Sequence, residues 1–150
     1  MAKSDLTFQV QMDKQTVDYF KKTAPEKLKL ARRNAVVAAG MAWADTAKKI
    51  TRDDNHIDTS LYVNSIGYVT DIPPTNKSGK PGRQATQADV IYELTEEQDR
   101  TVLAIGSGVE YAAVLEGRYN IFARALDTGQ NRMQRVAQTQ IQTTLFGGTP

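Results

Sequence analysis

The longest unbroken regularity in the chain runs from Pro25 to about Thr51, and it limits the possible folds more than any other feature. Pro25 suits the first turn of a helix, where its missing N–H removes no intrahelical hydrogen bond. Beyond it, Leu28, Ala31, Ala35, Ala38, Ala39, Ala42 and Ala47 keep one side small. Leu30, Val36, Val37, Met41, Trp43 and Ile50 supply bulk. About 26 helical residues at about 1.5 Å each make a rod of about 39 Å. Gly40 lies inside it, where glycine costs about 1 kcal/mol relative to alanine. Its presence predicts a close backbone approach by whatever packs on the alanine-rich side.

The facing layer is predicted to be a small antiparallel sheet. Leu6 to Met12 alternates apolar and polar residues, the pattern of a half-buried strand. Asp13 suits a helix cap before a short helix from Thr16 to Thr23. Ile66 to Ile72 reads as a strand. Ala88–Leu94 and Thr101–Ile105 bracket a polar turn, Thr95 to Arg100, and form a hairpin. These would be three consecutive antiparallel strands, with the N-terminal one as a fourth. Between them, residues 73–86 carry three prolines and two glycines, with Lys77, Lys80 and Arg83, and read as a flexible loop. The last helix, from about Ile121 to Leu145, is expected to break near Asp127-Thr-Gly129, and residues 146–150 to form a loose tail. The fold class is therefore α+β: one domain over residues 1–150, with the long helix and a broken C-terminal helix packed on the sheet.

Composition narrows the function. The chain of 150 residues has no cysteine, which removes disulfides and thiolate metal sites. No apolar run is long enough to span a bilayer, so no membrane partner is expected. Met1 to Asp5 lacks a signal peptide's apolar core, which predicts a protein made and kept inside the cell. Charge is unevenly spread. Residues 1–52 hold eleven Lys or Arg against five acids, 53–116 four against eleven, and 117–150 four against one. Such a chain can pair positive patch to negative patch with copies of itself, although solvated faces explain the pattern equally well.

Thr101 to Leu126 compresses several elements: a strand, a Gly106-Ser-Gly108 turn, a short helix from Val109 to Glu116 stopped by Gly117, and a second helix from near Asn120. Tyr111, Val114 and Leu115 would share one face of the short helix. Val109, Tyr111, Ala112, Glu116, Gly117, Phe122, Ala125 and Leu126 carry a resemblance to the neck or tail-completion proteins of long-tailed bacteriophages. A second match lies in Asp58-Thr-Ser-Leu-Tyr-Val-Asn-Ser-Ile66. There Asp58, Thr59, Ser65 and Ile66 agree with the family, whereas Ser60, Tyr62 and Val63 replace its glycine, leucine and arginine. The resemblance spans roughly residues 25 to 145. It implies a long helix laid across a sheet and a structural virion protein of the head–tail junction. That protein would assemble as a ring between head connector and tail tube. The implied partners are copies of itself, head-closure or connector proteins and tail tube or terminator proteins, with DNA in the channel as a further contact. No cofactor is implied.

Read on their own, the residues offer three other chemistries. Lys27, Lys29, Arg32 and Arg33 crowd the start of the long helix, where the dipole does not favour cations. They suit DNA phosphates or an acidic neighbour, although solvated side chains are the commoner explanation of such a group and no aromatic interleaves with them in sequence. A nucleic-acid-binding module is the alternative function, and Lys77, Lys80 and Arg83 of the 73–86 loop are further interface or DNA-channel candidates. Asp53, Asp54, His56 and Asp58 form the one cluster of metal-ligand residue types, but their spacing fits no zinc or calcium loop. Asp58 or Thr59 suits a cap for a short helix to Ser65. With a single histidine and serines confined to predicted loops and turns, no nucleophile–base pair stands out, and the chain is not expected to be an enzyme. For Glu116 the expected role is structural, accepting backbone hydrogen bonds or pairing with Arg118 or Arg124. Tyr111 is expected in a core or an interface.

Overall fold

In the computed structural model, residues 3–54, 56–57, 60–75, 77, 79 and 82–147 are described. Ser4–Phe8 forms strand β1, and Lys14–Thr23 helix α1. The Asp13 carboxylate accepts the Thr16 N–H at 3.1 Å, as a helix cap should. Ala24 then leaves helical geometry because the Pro25 ring crowds the residue before it. Helix α2, Pro25–Asp53, follows as a single 29-residue rod. After 3₁₀ turns at Val63–Ser65 and Gln87–Asp89 come strands β2 (Val90–Glu96) and β3 (Thr101–Ser107). Helices α3 (Ala112–Tyr119) and α4 (Ile121–Phe146) complete the chain.

The fold is α+β: a three-stranded antiparallel sheet in the order β1-β3-β2, with α2 packed on it and α4 packed along α2. Leu6, Ile105 and Tyr92 stand in one cross-strand row, and Phe8, Leu103 and Leu94 in the next. These rows belong to the core face, while Asp5, Thr7, Glu93 and Thr95 on the other face are exposed. Gly40 is where α2 meets the sheet. A Cβ there would lie 2.4 Å from Leu103 Cδ2. A close approach is present, but the Leu103 side chain of β3 makes it, not a backbone.

Helices α2 and α4 run antiparallel. The Asn34 amide donates to Thr144 Oγ1 at 3.1 Å near one end, and Arg132 meets Asp45 at 3.3 Å toward the other. Trp43, fully buried, donates its indole N–H to the Phe122 carbonyl at 3.1 Å. Its ring meets Phe8 and Phe122 edge-on, at centroid distances of 5.8 and 4.8 Å. A smaller cluster of Phe20, Leu28, Ala31 and Leu145 joins α1 to the start of α2 and the end of α4.

Several expectations are corrected. The C-terminal helix is unbroken. Gly129 sits inside α4, where a Cβ would come within 3.1 Å of Thr46 Oγ1, so the glycine serves helix packing. Gly117 does not stop α3, which continues to Tyr119 and ends at Asn120 in the left-handed region, φ 52°. That helix starts at Ala112, so Tyr111 stands at its cap position, and both Tyr111 and Val114 are exposed. Leu30 is likewise exposed. Only Ser4–Phe8 of the N-terminal alternation pairs in the sheet, although it continues to half-bury Val10 and Met12. Residues 66–72 form no strand. Gly67 there takes φ +73°, and side chains satisfy the local backbone instead of a ladder. The Asn64 carboxamide accepts the Ile72 N–H at 2.8 Å and donates to the Ile72 carbonyl at 3.0 Å. One backbone bond, Gly67 N–H to the Gly106 carbonyl at 3.0 Å, ties this segment to β3.

Candidate interaction surfaces

The two sequence motifs meet in space. Val109 N–H donates to Ser107 Oγ at 3.3 Å, and Ser107 and Ser65 share a buried hydroxyl contact of 2.7 Å. Ser65 Oγ donates in turn to the Tyr62 carbonyl at 2.8 Å. Next to this chain, Tyr62 stacks on Phe122 at 6.1 Å, and Ile66, Ala112 and Phe122 are all core residues. The Tyr62 hydroxyl is buried with no hydrogen-bond partner, and burial, then the Glu116 charge, raises its pKa far above that of a free phenol. Asp58 and Thr59, also part of the motif, lie outside the described residues, as does the cap expected from them.

Glu116 joins α3 to α4. One carboxylate oxygen accepts the Phe122 N–H at 2.7 Å and the other the Ala123 N–H at 3.3 Å. Asn120 is the residue at the cap position of α4 but makes no side-chain capping bond. A carboxylate from the preceding helix takes that place, favoured by the positive pole of the helix. Of the roles expected for Glu116, backbone acceptance is the one observed. Gly117, the next residue, is exposed and a Cβ there would meet nothing within 4 Å.

The basic candidates do not form one patch. Lys27 and Arg33 are exposed and Lys29 is half-buried, but Arg32 is only 7% exposed. Its guanidinium donates to the Asp99 carbonyl at 2.9 Å and the Gln98 carbonyl at 3.5 Å, pinning the hairpin turn to α2. Arg32 is therefore removed from the phosphate-contact set. Arg83 forks onto Asp89 at 2.7 and 2.6 Å. The Arg83 guanidinium, opposed by burial and aided by Thr86, holds the Asp89 carboxyl down to about 2. Lys77 is exposed, and Lys80 lies outside the described residues.

The residues near 53–58 are occupied by other work. Asp53 ion-pairs with Lys49, and Asp54 with Arg124 of α4 at 2.6 Å. His56 stacks on Tyr119 at 3.7 Å. Among the described residues no three metal-ligating side chains come together, and Asp58 is not one of those residues.

Lys48 is the site residue that sequence reasoning missed. A lysine near the C-terminal end of a helix meets the negative pole of the dipole, a sufficient role on the surface. In the fold it is 3% exposed, and its ammonium donates to the Val63 carbonyl at 2.7 Å, the Tyr68 carbonyl at 2.9 Å and Thr70 Oγ1 at 3.0 Å. It also lies over the Tyr68 ring at 4.4 Å. Burial pushes its pKa down to about 7, with Asp45 pulling the other way. Asp45 receives the Tyr68 hydroxyl; burial first, then this bond, moves that phenol up to about 12. The 63–70 segment is folded around this amine.

No helix among the described residues is long and apolar enough to cross a membrane. In comparisons with known proteins, no family model, curated protein or solved structure matches the chain.

Proposed function

We propose that this chain is a non-catalytic structural protein of a bacteriophage head–tail junction, a neck or tail-completion subunit that assembles as a ring between head connector and tail tube. The observation that carries the reading is how the Val109–Leu126 motif is used. Glu116 locks α3 onto the first turn of α4, and Tyr111 at the cap position of α3 and Val114 within it are both exposed. An apolar pair presented on a braced helix suits a surface that meets a neighbour. Asp54 pairs with Arg124, His56 stacks on Tyr119 and Ser65 shares a hydroxyl contact with Ser107, contacts that support a structural use of these side chains. In this reading, identical subunits repeat one head-to-tail contact until the ring closes around the DNA channel.

Electron microscopy of the purified protein, alone and mixed with tail tubes or filled heads, tests the proposal. Rings with a central opening, or added density at the junction, are the expected result. A solitary chain that joins no particle and turns over a substrate would overturn it.

A nucleic-acid contact is the second reading. Lys27 and Arg33 are exposed, as are the aromatic residues Tyr19 and Phe146 of the neighbouring helices α1 and α4. Duplex affinity that falls steeply with salt, in a chain that forms no rings, would favour it.

A further inference from the structure

Helix α4 carries one exposed stripe along most of its length. Asn131, Gln134, Arg135, Gln138 and Gln142 are all exposed, and their spacing of three and four residues sets them in line on one side of the helix. From Asn131 to Gln142 the stripe is about 17 Å long. Exposed Asp127 lies one turn before it and exposed Phe146 one turn past it. Between residues 128 and 147 the chain has no carboxylate, against two guanidinium groups, Arg132 and Arg135.

The fold does not engage the stripe. Among the described residues, nothing hydrogen-bonds the amides of Asn131, Gln134, Gln138 and Gln142, and no carboxylate pairs with Arg135. Arg132, on one flank, differs in meeting Asp45 of α2 at 3.3 Å. On the other flank Gln9 and Gln11 face Gln130, Gln134 and Gln138 across a groove with no charged side chain in its lining. A second, shallower groove along the stripe is lined by α4 alone, again without a carboxylate.

An amide offers donors and an acceptor together, and a guanidinium offers a fork of donors that matches phosphate. Nucleic-acid duplexes are contacted by such groups, with Arg, Asn, Gln and Thr bonding phosphates and base edges. A carboxylate in the row would repel phosphate, and none is there. A packed protein neighbour would instead meet apolar side chains at the centre of the contact, and the stripe has none.

We propose that the Asn131–Gln142 face of α4 is the surface on which this protein meets duplex nucleic acid. The placement of that duplex in a channel rests on the ring reading; α4 is then the channel wall.

Gln→Glu keeps size and shape and adds a charge, so Gln134→Glu with Gln138→Glu alters the face and leaves its packing alone. Gln84→Glu with Gln98→Glu, at exposed positions outside α4, makes the same change in net charge. Fluorescence anisotropy of a labelled, mixed-sequence DNA duplex, read against salt, reports binding. The α4 pair should weaken it about tenfold or more and the control pair much less. Arg135→Gln should lower the slope of log affinity against log salt by about one. Equal losses from both pairs, no loss from the α4 pair, or no duplex binding by the unaltered protein at low salt would overturn the proposal. Rings that form from the unaltered protein but not from the α4 pair would make the face a contact between copies, which overturns the proposal and leaves the ring. Binding that the α4 pair loses, in a protein that forms no rings, would keep the contact and remove the ring.

Discussion

Glu116, near the end of α3, accepts the Phe122 N–H of α4 at 2.7 Å, so one carboxylate closes the corner between two helices. The bond replaces the cap that Asn120, in left-handed geometry, does not supply. Glu116→Ala should cost about 0.5–2 kcal/mol, the range for losing a helix cap. Glu116→Gln keeps one acceptor and should lose less. Urea unfolding of the two variants checks the order, and equal losses would mean that the charge, not the bond, matters.

Lys48 gives the protein an unusual dependence on pH. Its pKa falls from 10.5 in the unfolded chain to about 7 in the fold, so the unfolded state holds the extra proton between those values. Stability should therefore rise with pH across that window, and the contribution is lost as pH falls toward 7. Tyr68 acts in the opposite sense. Its pKa rises from 10.0 to about 12, so stability declines as pH climbs through that range. Denaturation midpoints measured from pH 6 to 11 should climb and then turn over near 10. Lys48→Met should flatten the rising limb while leaving the decline.

Two glycines predict opposite signs. At Gly106 a Cβ would lie 2.0 Å from the Ser4 carbonyl oxygen, a backbone atom that cannot swing aside without β1 leaving the sheet. Gly106→Ala should destabilise by at least about 1–3 kcal/mol. At Gly117, inside α3, a Cβ meets open space. Gly117→Ala should stabilise by about 0.5–1 kcal/mol through helix propensity. Thermal unfolding of both variants is sufficient.

Arg32 separates packing from contact. Arg32→Ala removes the bonds to the Asp99 and Gln98 carbonyls and the buried stem, and should cost about 1–3 kcal/mol. Exposed Arg33→Ala should change stability by less than about 0.5 kcal/mol. If duplex binding is detected, Arg33→Ala should reduce it and Arg32→Ala should not, once the comparison is made on folded protein.

What the sequence made legible were features whose signal is local. The apolar and alanine spacing of residues 25–51 defined α2 to within two residues at its end, and the polar turn before Thr101 announced the hairpin. Gly40 and Gly129 bear on the rest. The first was read as a close approach and the second as a break, yet both are glycines inside helices facing a neighbour, Leu103 in one case and Thr46 in the other. Nothing in the local sequence distinguishes them, because the facing atom comes from far along the chain. The same holds for Arg32 and Lys48, whose acceptors are carbonyls of segments that the helix pattern could not place. Residues 66–72 had strand composition, but Gly67 at positive φ and the bonds from Asn64 and Lys48 overrode it. In the candidate surfaces, Glu116 was identifiable as structural from its motif, whereas the exposure of Tyr111 and Val114 follows from what α3 packs against, which its own spacing does not give.

Trp43 is the chain's only indole, and its immediate aromatic neighbours come from β1 and from α4. Light absorbed at one position therefore samples the seating of both the first strand and the last helix on the central rod. Detachment of either would admit water to the ring and redden its emission, giving an intrinsic optical gauge of whether the chain's two extremities remain fastened.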